Sequence, residues 1–427
     1  MALRQDFLGG SDGLRSRPLK PPEGPQRALK GSAPMSSIHR CWNIADFRKV
    51  AKRRLPSPLF HYIDGGADDE WTLRENTAAF DRYRLLPRQL IDNTSIDLST
   101  SLLGADLALP LILSPTGMTR LFHHDRELAV AGAAAAAGIA YSLSTMATTS
   151  IEDIATATTG PKIFQIYMLR DRGLTAEFIR RAKALKYDAL CLTVDTPLAG
   201  HRERDLRTGM TMPPRLTPKS MLSFAAHPHW ALNYLRDNRF TLANVAHRVD
   251  ALAGGPMSLI DYVNSQFDRS VTWEDAAWAA REWGGPFIVK GLLSPADAKR
   301  AVQSGATAVM ISNHGGRQLD GTPAPVDCVA PIRDAVGRDL ELIVDGGVRR
   351  GTHLIKAMAL GADAVSFGRP YLYALASGGQ AGVDRLLALF RDEVARSLAL
   401  LGVISVKTLD RSSLFLGPKS ALGRGDP

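Results

Sequence analysis

Eight times between Leu109 and Arg369, a short apolar run gives way to a turn and then to an amphipathic stretch, often closed by glycine. The runs are LPLILSPTG, IAYSLS, KIFQIY, ALCLTVD, FIVKG, AVMISN, LIVDGG and AVSFGR. Apolar runs without strict alternation predict strands covered on both faces, as in a parallel sheet. Helices are predicted over ELAVAGAAAAAG, SIEDIATAT, GLTAEFIRRAKALKY, TWEDAAWAAREW, SPADAKRAVQSG, DCVAPIRDAVG, GTHLIKAMALG and VDRLLALFRDEVARSLALLG. In SPADAKRAVQSG, Ser294 suits the cap, Pro295 the first helical position and Gly305 the exit. The class is α/β, and eight strand–helix units predict a closed (β/α)8 barrel, with an open doubly wound sheet as the alternative. The last two runs favour the barrel: LIVDGGVRRG and AVSFGRP both end in glycine and arginine, where such barrels place a phosphate site.

The barrel domain is predicted over residues 38–416. Residues 1–37, rich in Gly, Pro, Ser and basic side chains and without apolar periodicity, predict a disordered basic tail, and 417–427 a short second tail. An insertion at about 208–270, after the fourth strand, exceeds ordinary connections and predicts a lid or an interaction surface. Its middle, LSFAAHPHWALNYLRDNRF, mixes Phe224, Trp230, Leu232, Tyr234 and Leu235 with His227, His229, Arg236 and Arg239. That mixture suits peripheral contact with a membrane; a small local core packed on the barrel is the competing reading.

A net charge of +9 favours anionic ligands, but the excess is spread through helices such as FIRRAKALK, and no zinc-finger spacing or long basic run supports a nucleic-acid partner. Three widely spaced cysteines argue against a disulfide framework and a thiolate metal site, and for a reducing compartment. With no apolar run of about eighteen residues and no secretory-signal core, a cytoplasmic protein is expected. The adjacent histidines of RLFHHDRE are expected to point apart, so no metal site is assigned.

In such barrels the carboxyl ends of the strands carry the chemistry. Here those ends collect hydroxyls, amides, Asp195, Lys290, His314, Arg317, Asp345 and Arg369, groups costly to bury together unless ligands satisfy them. The glycines of DGGVRRG, with Arg349 and Arg369, suit a phosphate. No Walker-type or dinucleotide fingerprint occurs, which favours a simpler phosphorylated cofactor. His314 and Asp195 suit a general base with its orienting carboxylate, and Arg317 a bidentate fork for a substrate carboxylate.

Taken in order, LTVDTP, IVKG, SNHGGRQLDG, DGGVRRG and FGRP resemble the FMN-dependent 2-hydroxy acid dehydrogenase and oxidase family, and HYIDGGADDEWTLREN resembles its amino-terminal segment. The resemblance implies a TIM barrel, FMN as cofactor, and oxidation of an L-2-hydroxy acid to the 2-oxo acid. Electrons would pass to a quinone, a cytochrome or oxygen, and the chain would form a homo-oligomer. It implies His314 as base, paired with Asp195 and assisted by Tyr167; Tyr62, Arg202 and Arg317 would join Tyr167 and His314 in holding substrate. The implied flavin contacts are Pro115, Thr116, Gly117, Ser144, Gln165, Tyr167, Thr193, Lys290, Ser312, Asp345, Gly346, Gly347, Val348, Arg349, Gly368 and Arg369. Gly117 and Met146 stand where plant glycolate oxidase has alanine and tryptophan, which predicts room for lactate or a larger substrate such as mandelate. The insertion resembles that of bacterial lactate and mandelate dehydrogenases, some of which use it to contact membrane.

Overall fold

The computed structural model describes residues 37–210, 217–237, 240–246 and 265–415. Both expected tails, Ser37 apart, and Arg239 within the insertion lie outside the described residues.

The eight apolar runs form eight parallel strands: β1 (Leu111–Leu113), β2 (Ala140–Ser144), β3 (Lys162–Tyr167), β4 (Ala189–Thr193), β5 (Phe287–Leu292), β6 (Ala308–Ser312), β7 (Glu341–Asp345) and β8 (Ala364–Phe367). Neighbours pair in chain order, and β8 returns to β1 with Val365 opposite Leu111 and Phe367 opposite Leu113. The sheet therefore closes, and the open-sheet alternative falls. Alternate side chains serve two cores. Ile112, Ile163, Cys191, Ile288, Met310 and Ile343 point into the barrel. Their neighbours, among them Leu113, Phe164, Leu192, Val289, Ile311 and Val344, face outward beneath the helices.

Those helices are α1 (Arg126–Ala136), α2 (Ile151–Ala157), α3 (Arg172–Ala184), α4 (Trp273–Trp283), α5 (Pro295–Gln303), α6 (Pro325–Val336), α7 (Gly351–Ala359) and α8 (Arg369–Leu401). At α5 the Ser294 side chain accepts the Asp297 N–H at 3.1 Å, and Pro295 opens the first turn, as predicted. Within α8, Gly378 and Gly379 leave helical geometry and divide the span into two helices. The second contains the predicted stretch from Val383, and the first, from Arg369, is an addition to it.

Two further pieces went unpredicted. A hairpin pairing Thr100–Leu102 with Ala105–Leu107 pushes Leu102, Leu103 and Leu107 into the lower mouth of the barrel. The Leu103 N–H donates to Glu341 Oε2 at 2.8 Å, fixing this plug to β7. Ahead of it lie three short helices, Ile44–Arg54, Ser57–Asp64 and Trp71–Ala78. The last starts under a carboxylate from far along the chain: Asp320 accepts the N–H groups of Trp71 and Thr72 at 3.1 and 2.7 Å.

In the insertion, helices Pro218–Ala225 and Pro228–Arg236 divide their apolar residues between two sides. Phe224, Trp230 and Tyr234 are partly buried, and Trp230 Nε1 donates to the Leu121 carbonyl at 2.8 Å. Arg120, fully buried, donates to the Tyr234 carbonyl at 3.0 Å. The aromatic residues expected at an interface thus pack on the barrel, while Met221, Leu222, Leu232 and Leu235 remain exposed. Among the described residues no helix is long and apolar enough to cross a membrane.

Candidate active site

The carboxyl ends of the strands open on a cavity of about 780 Å³, within the range of small-molecule sites. Tyr62, Pro115, Thr116, Gly117, Ser144, Tyr167, Arg202, Lys290, His314, Arg317, Asp345, Gly346, Gly347, Val348, Arg349, Gly368 and Arg369 line it. Gln165, Thr193 and Ser312 are buried strand-end residues outside that lining, and Asp195 stands behind His314. The predicted set thus converges on one place.

Strand β6 ends at Ser312, and the chain then turns sharply, with His314 at φ +56, a conformation uncommon outside glycine. Ser312 Oγ accepts the His314 N–H at 3.0 Å, and His314 Nδ1 lies 2.9 Å from Asp195 Oδ1. Burial holds His314 below the ordinary histidine range, against the opposing pull of Asp195, so the ring is neutral at neutral pH. Asp195 is itself below the usual carboxylate range: burial disfavours its charge, but His314 and Lys290 outweigh that. A neutral imidazole oriented by a carboxylate can accept a proton.

Deeper in, Lys290 on β5 is 4% exposed. Its Nζ donates to Ser312 Oγ at 3.0 Å and lies 3.3 Å from Asp345 Oδ2. Asp345 also accepts from the hydroxyls of Ser114 and Ser312, each at 2.7 Å. Burial opposes the lysine charge, yet Asp195 and Asp345 together raise its pKa above the ordinary value. Nearby, Gln165 Nε2 and Thr193 Oγ1 are buried without partners. Such atoms call for a polar ligand.

Arginines surround the cavity. Burial, with Arg202 close by, lowers Arg317 to about 10; burial also lowers Arg349 and Arg369. Arg349 donates from Nη1 to the Val348 carbonyl at 2.8 Å. Arg369 and Arg317 have a second duty. Arg369 donates to the carbonyls of Ile63, Gly65 and Gly315, each at 2.8 Å, and Arg317 donates to the Tyr62 carbonyl. These guanidiniums cap the negative end of the helix carrying Tyr62. The Arg317 and Arg202 groups lie 4.9 and 5.8 Å from the Tyr62 ring centre, and Arg202 is oriented by Asp205 at 2.7 Å.

Sequence reasoning missed Phe122 and Phe267, which wall the cavity. Phe122 stacks on Tyr62 at 6.5 Å and Phe267 meets Tyr167 edge-on at 5.1 Å. Two expectations need correction. Gly117 does not simply add space: a Cβ there would lie 2.7 Å from Met146 Cβ, so the glycine admits the Met146 chain. His123 and His124 do not point apart; their rings stack at 4.5 Å, because His124 is fixed by Asn233 at both its N–H and its Nδ1.

The family model for FMN-dependent dehydrogenase matches residues 51–416. The chain belongs to this family. Among FMN-dependent dehydrogenases and their relatives, it is 42% identical over 373 residues to an L-lactate dehydrogenase of Pectobacterium atrosepticum, covering 86% of this chain and 95% of that protein. It is 38% identical to glycolate oxidase 3 of Oryza sativa subsp. indica, with 87% and 96% covered. A solved structure of the monotopic membrane protein (S)-mandelate dehydrogenase superposes with a TM-score of 0.84 at 36% identity, covering 88% of this chain and 99% of that one. As an FMN-dependent dehydrogenase the chain is an oxidoreductase whose cofactor is FMN, and the (β/α)8 fold agrees with that membership.

Proposed function

We propose that this FMN-dependent dehydrogenase oxidises an L-2-hydroxy acid, lactate or a larger homologue, to the 2-oxo acid, with His314 as the base. One observation carries the reading: a neutral His314 backed by Asp195 at 2.9 Å shares one cavity with the cationic clamp of Arg317 and Arg202 around Tyr62. Arg317 and Tyr62 hold the substrate carboxylate, Arg202 adds charge beside it, and Tyr167 hydrogen-bonds the hydroxyl. His314 Nε2 takes the proton released on oxidation, and Asp195 stabilises the imidazolium. Phe122, Met146 and Phe267 enclose the side chain and exclude water.

The buried donors fit FMN. Arg349 and Arg369 would supply charge for its phosphate alongside the backbone of Gly346, Gly347, Val348 and Gly368, and Asp345 would hold its ribityl chain. Gln165 Nε2 and Thr193 Oγ1 gain partners, with Ser144, Ser312 and the Pro115–Gly117 turn beside them. Bound FMN supplies the two-electron acceptor. Lys290 places positive charge where negative charge develops.

The test is anaerobic reduction of the holoenzyme by L- and D-lactate and L- and D-mandelate, followed by reoxidation with a quinone or with oxygen. Bleaching by the L acids and fast reoxidation by quinone are expected. No bleaching by any acid refutes the function, and fast reoxidation by oxygen makes the chain an oxidase instead.

We propose further that the chain works as a peripheral protein on the cytoplasmic face of a membrane, through the exposed side of the insertion. Met221, Leu222, Leu232 and Leu235 there face solvent while Trp230 anchors the helix below. Leu232→Asp with Leu235→Asp is expected to move the protein from the membrane pellet to the soluble fraction, with flavin content unchanged. Equal partitioning of the variant and the unaltered protein excludes this role.

A further inference from the structure

The loops following β4 and β6 are joined by one side chain that the reading above leaves without a role. Gln318 Nε2 donates to the carbonyls of Asp195 and Leu198, each at 2.9 Å, and Gln318 Oε1 accepts the Gly200 N–H at 3.0 Å. Both amide hydrogens and the amide oxygen are thereby spent on a single stretch of backbone, residues 195–200. The fit leaves no slack. A Cβ on Gly200 would lie 2.2 Å from the Arg317 carbonyl oxygen, so this loop rests directly on the backbone beside Gln318.

What the clasp grips decides what it does. At one end is Asp195, whose carboxylate holds His314 Nδ1. Two residues past the other end is Arg202, whose guanidinium stands over the Tyr62 ring. Gln318 itself directly follows Arg317 in the loop that also carries His314. We infer that Gln318 is a positioning residue, holding the His314–Asp195 pair and the Arg202 arm of the substrate clamp in one register. The inference rests on His314 being the base. Near reacting groups, a misplacement of about 1 Å can cost about a hundredfold in rate.

Two variants of the holoenzyme test it. Gln318→Leu removes all three hydrogen bonds. Gln318→Glu is nearly isosteric and keeps the acceptor for Gly200, but loses both donors. The measurement is anaerobic flavin reduction by L-lactate and by L-mandelate, per bound flavin, as a function of pH. Both variants are expected to reduce about tenfold to a hundredfold more slowly and to need more substrate for half-saturation. The acid limb should also move to lower pH, because an Asp195 no longer held in place stabilises the protonated His314 less.

Wild-type rates and pH midpoints in both variants overturn the inference. So do slower rates with an unmoved midpoint and unchanged half-saturation, which a merely loosened fold would give. If Gln318→Leu loses its flavin, Gln318→Glu decides. Should His314→Ala also reduce normally, the base assignment itself is wrong; should it be inert while both Gln318 variants are normal, only the role of Gln318 is.

Discussion

Replacing His314 with alanine should yield a folded, flavin-loaded protein that 2-hydroxy acids reduce about 10²- to 10⁴-fold more slowly than the unaltered enzyme. Arg349, Gly346 and Gly347, proposed to hold the FMN phosphate, are separate from the imidazole, so flavin content should hold. Stopped-flow reduction per bound flavin checks both parts, and normal turnover would falsify the role. The unaltered enzyme should also show the base in its pH profile. Burial keeps His314 below the ordinary histidine range, so it is already neutral at pH 7. Activity should therefore be level through neutrality and fall as pH drops through the lowered histidine value, because protonation removes the acceptor. An acid limb at or above the ordinary histidine value, about 6.5, contradicts that environment.

The second large effect is on stability. Lys290→Met leaves Asp345 and Asp195 without the cation that faces them both, and removing one partner of a buried ion pair costs about 3–5 kcal/mol. Thermal unfolding of the flavin-loaded protein should show it. The sign with pH follows from Asp345. In the unaltered protein Lys290 and two serine hydroxyls outweigh burial and hold its pKa down, so its stabilising contribution is present above the ordinary carboxylate range and lost as pH falls through its lowered value. In the variant burial dominates and raises that pKa. The deficit should thus be greatest at neutral pH and shrink as pH falls through the carboxylate range; a deficit independent of pH would mean that Lys290 acts through packing alone.

Much of this was legible in the sequence because a barrel strand is written locally. AVMIS and ELIVD announce burial on both faces within five residues, and Ser294 and Pro295 announce a helix start within two. The convergence of His314, Asp195 and Lys290 followed from their shared place at strand ends. What stayed hidden depends on distant contacts. Gln318 and Asp195 are 123 residues apart, and nothing around QLDG signals a clasp. The plug hairpin is only three residues a side, too short for a periodic signal, and Phe267 becomes a cavity wall only because Leu169 pairs with it across the insertion. Tyr62 was reached through family resemblance alone, since its helix precedes the repeating units.

The arginine caps on that early helix also bear on how the enzyme is made. Arg369 reaches back 306 residues to the carbonyl of Ile63. A ribosome must therefore deliver nearly all of the barrel before the segment bearing Tyr62, which Arg317 also caps, gains the Arg369 part of its cap. Long-range closure of this kind is entropically late. The cap on the helix bearing Tyr62 is thus completed only by a residue that follows the last barrel strand, Ala364–Phe367.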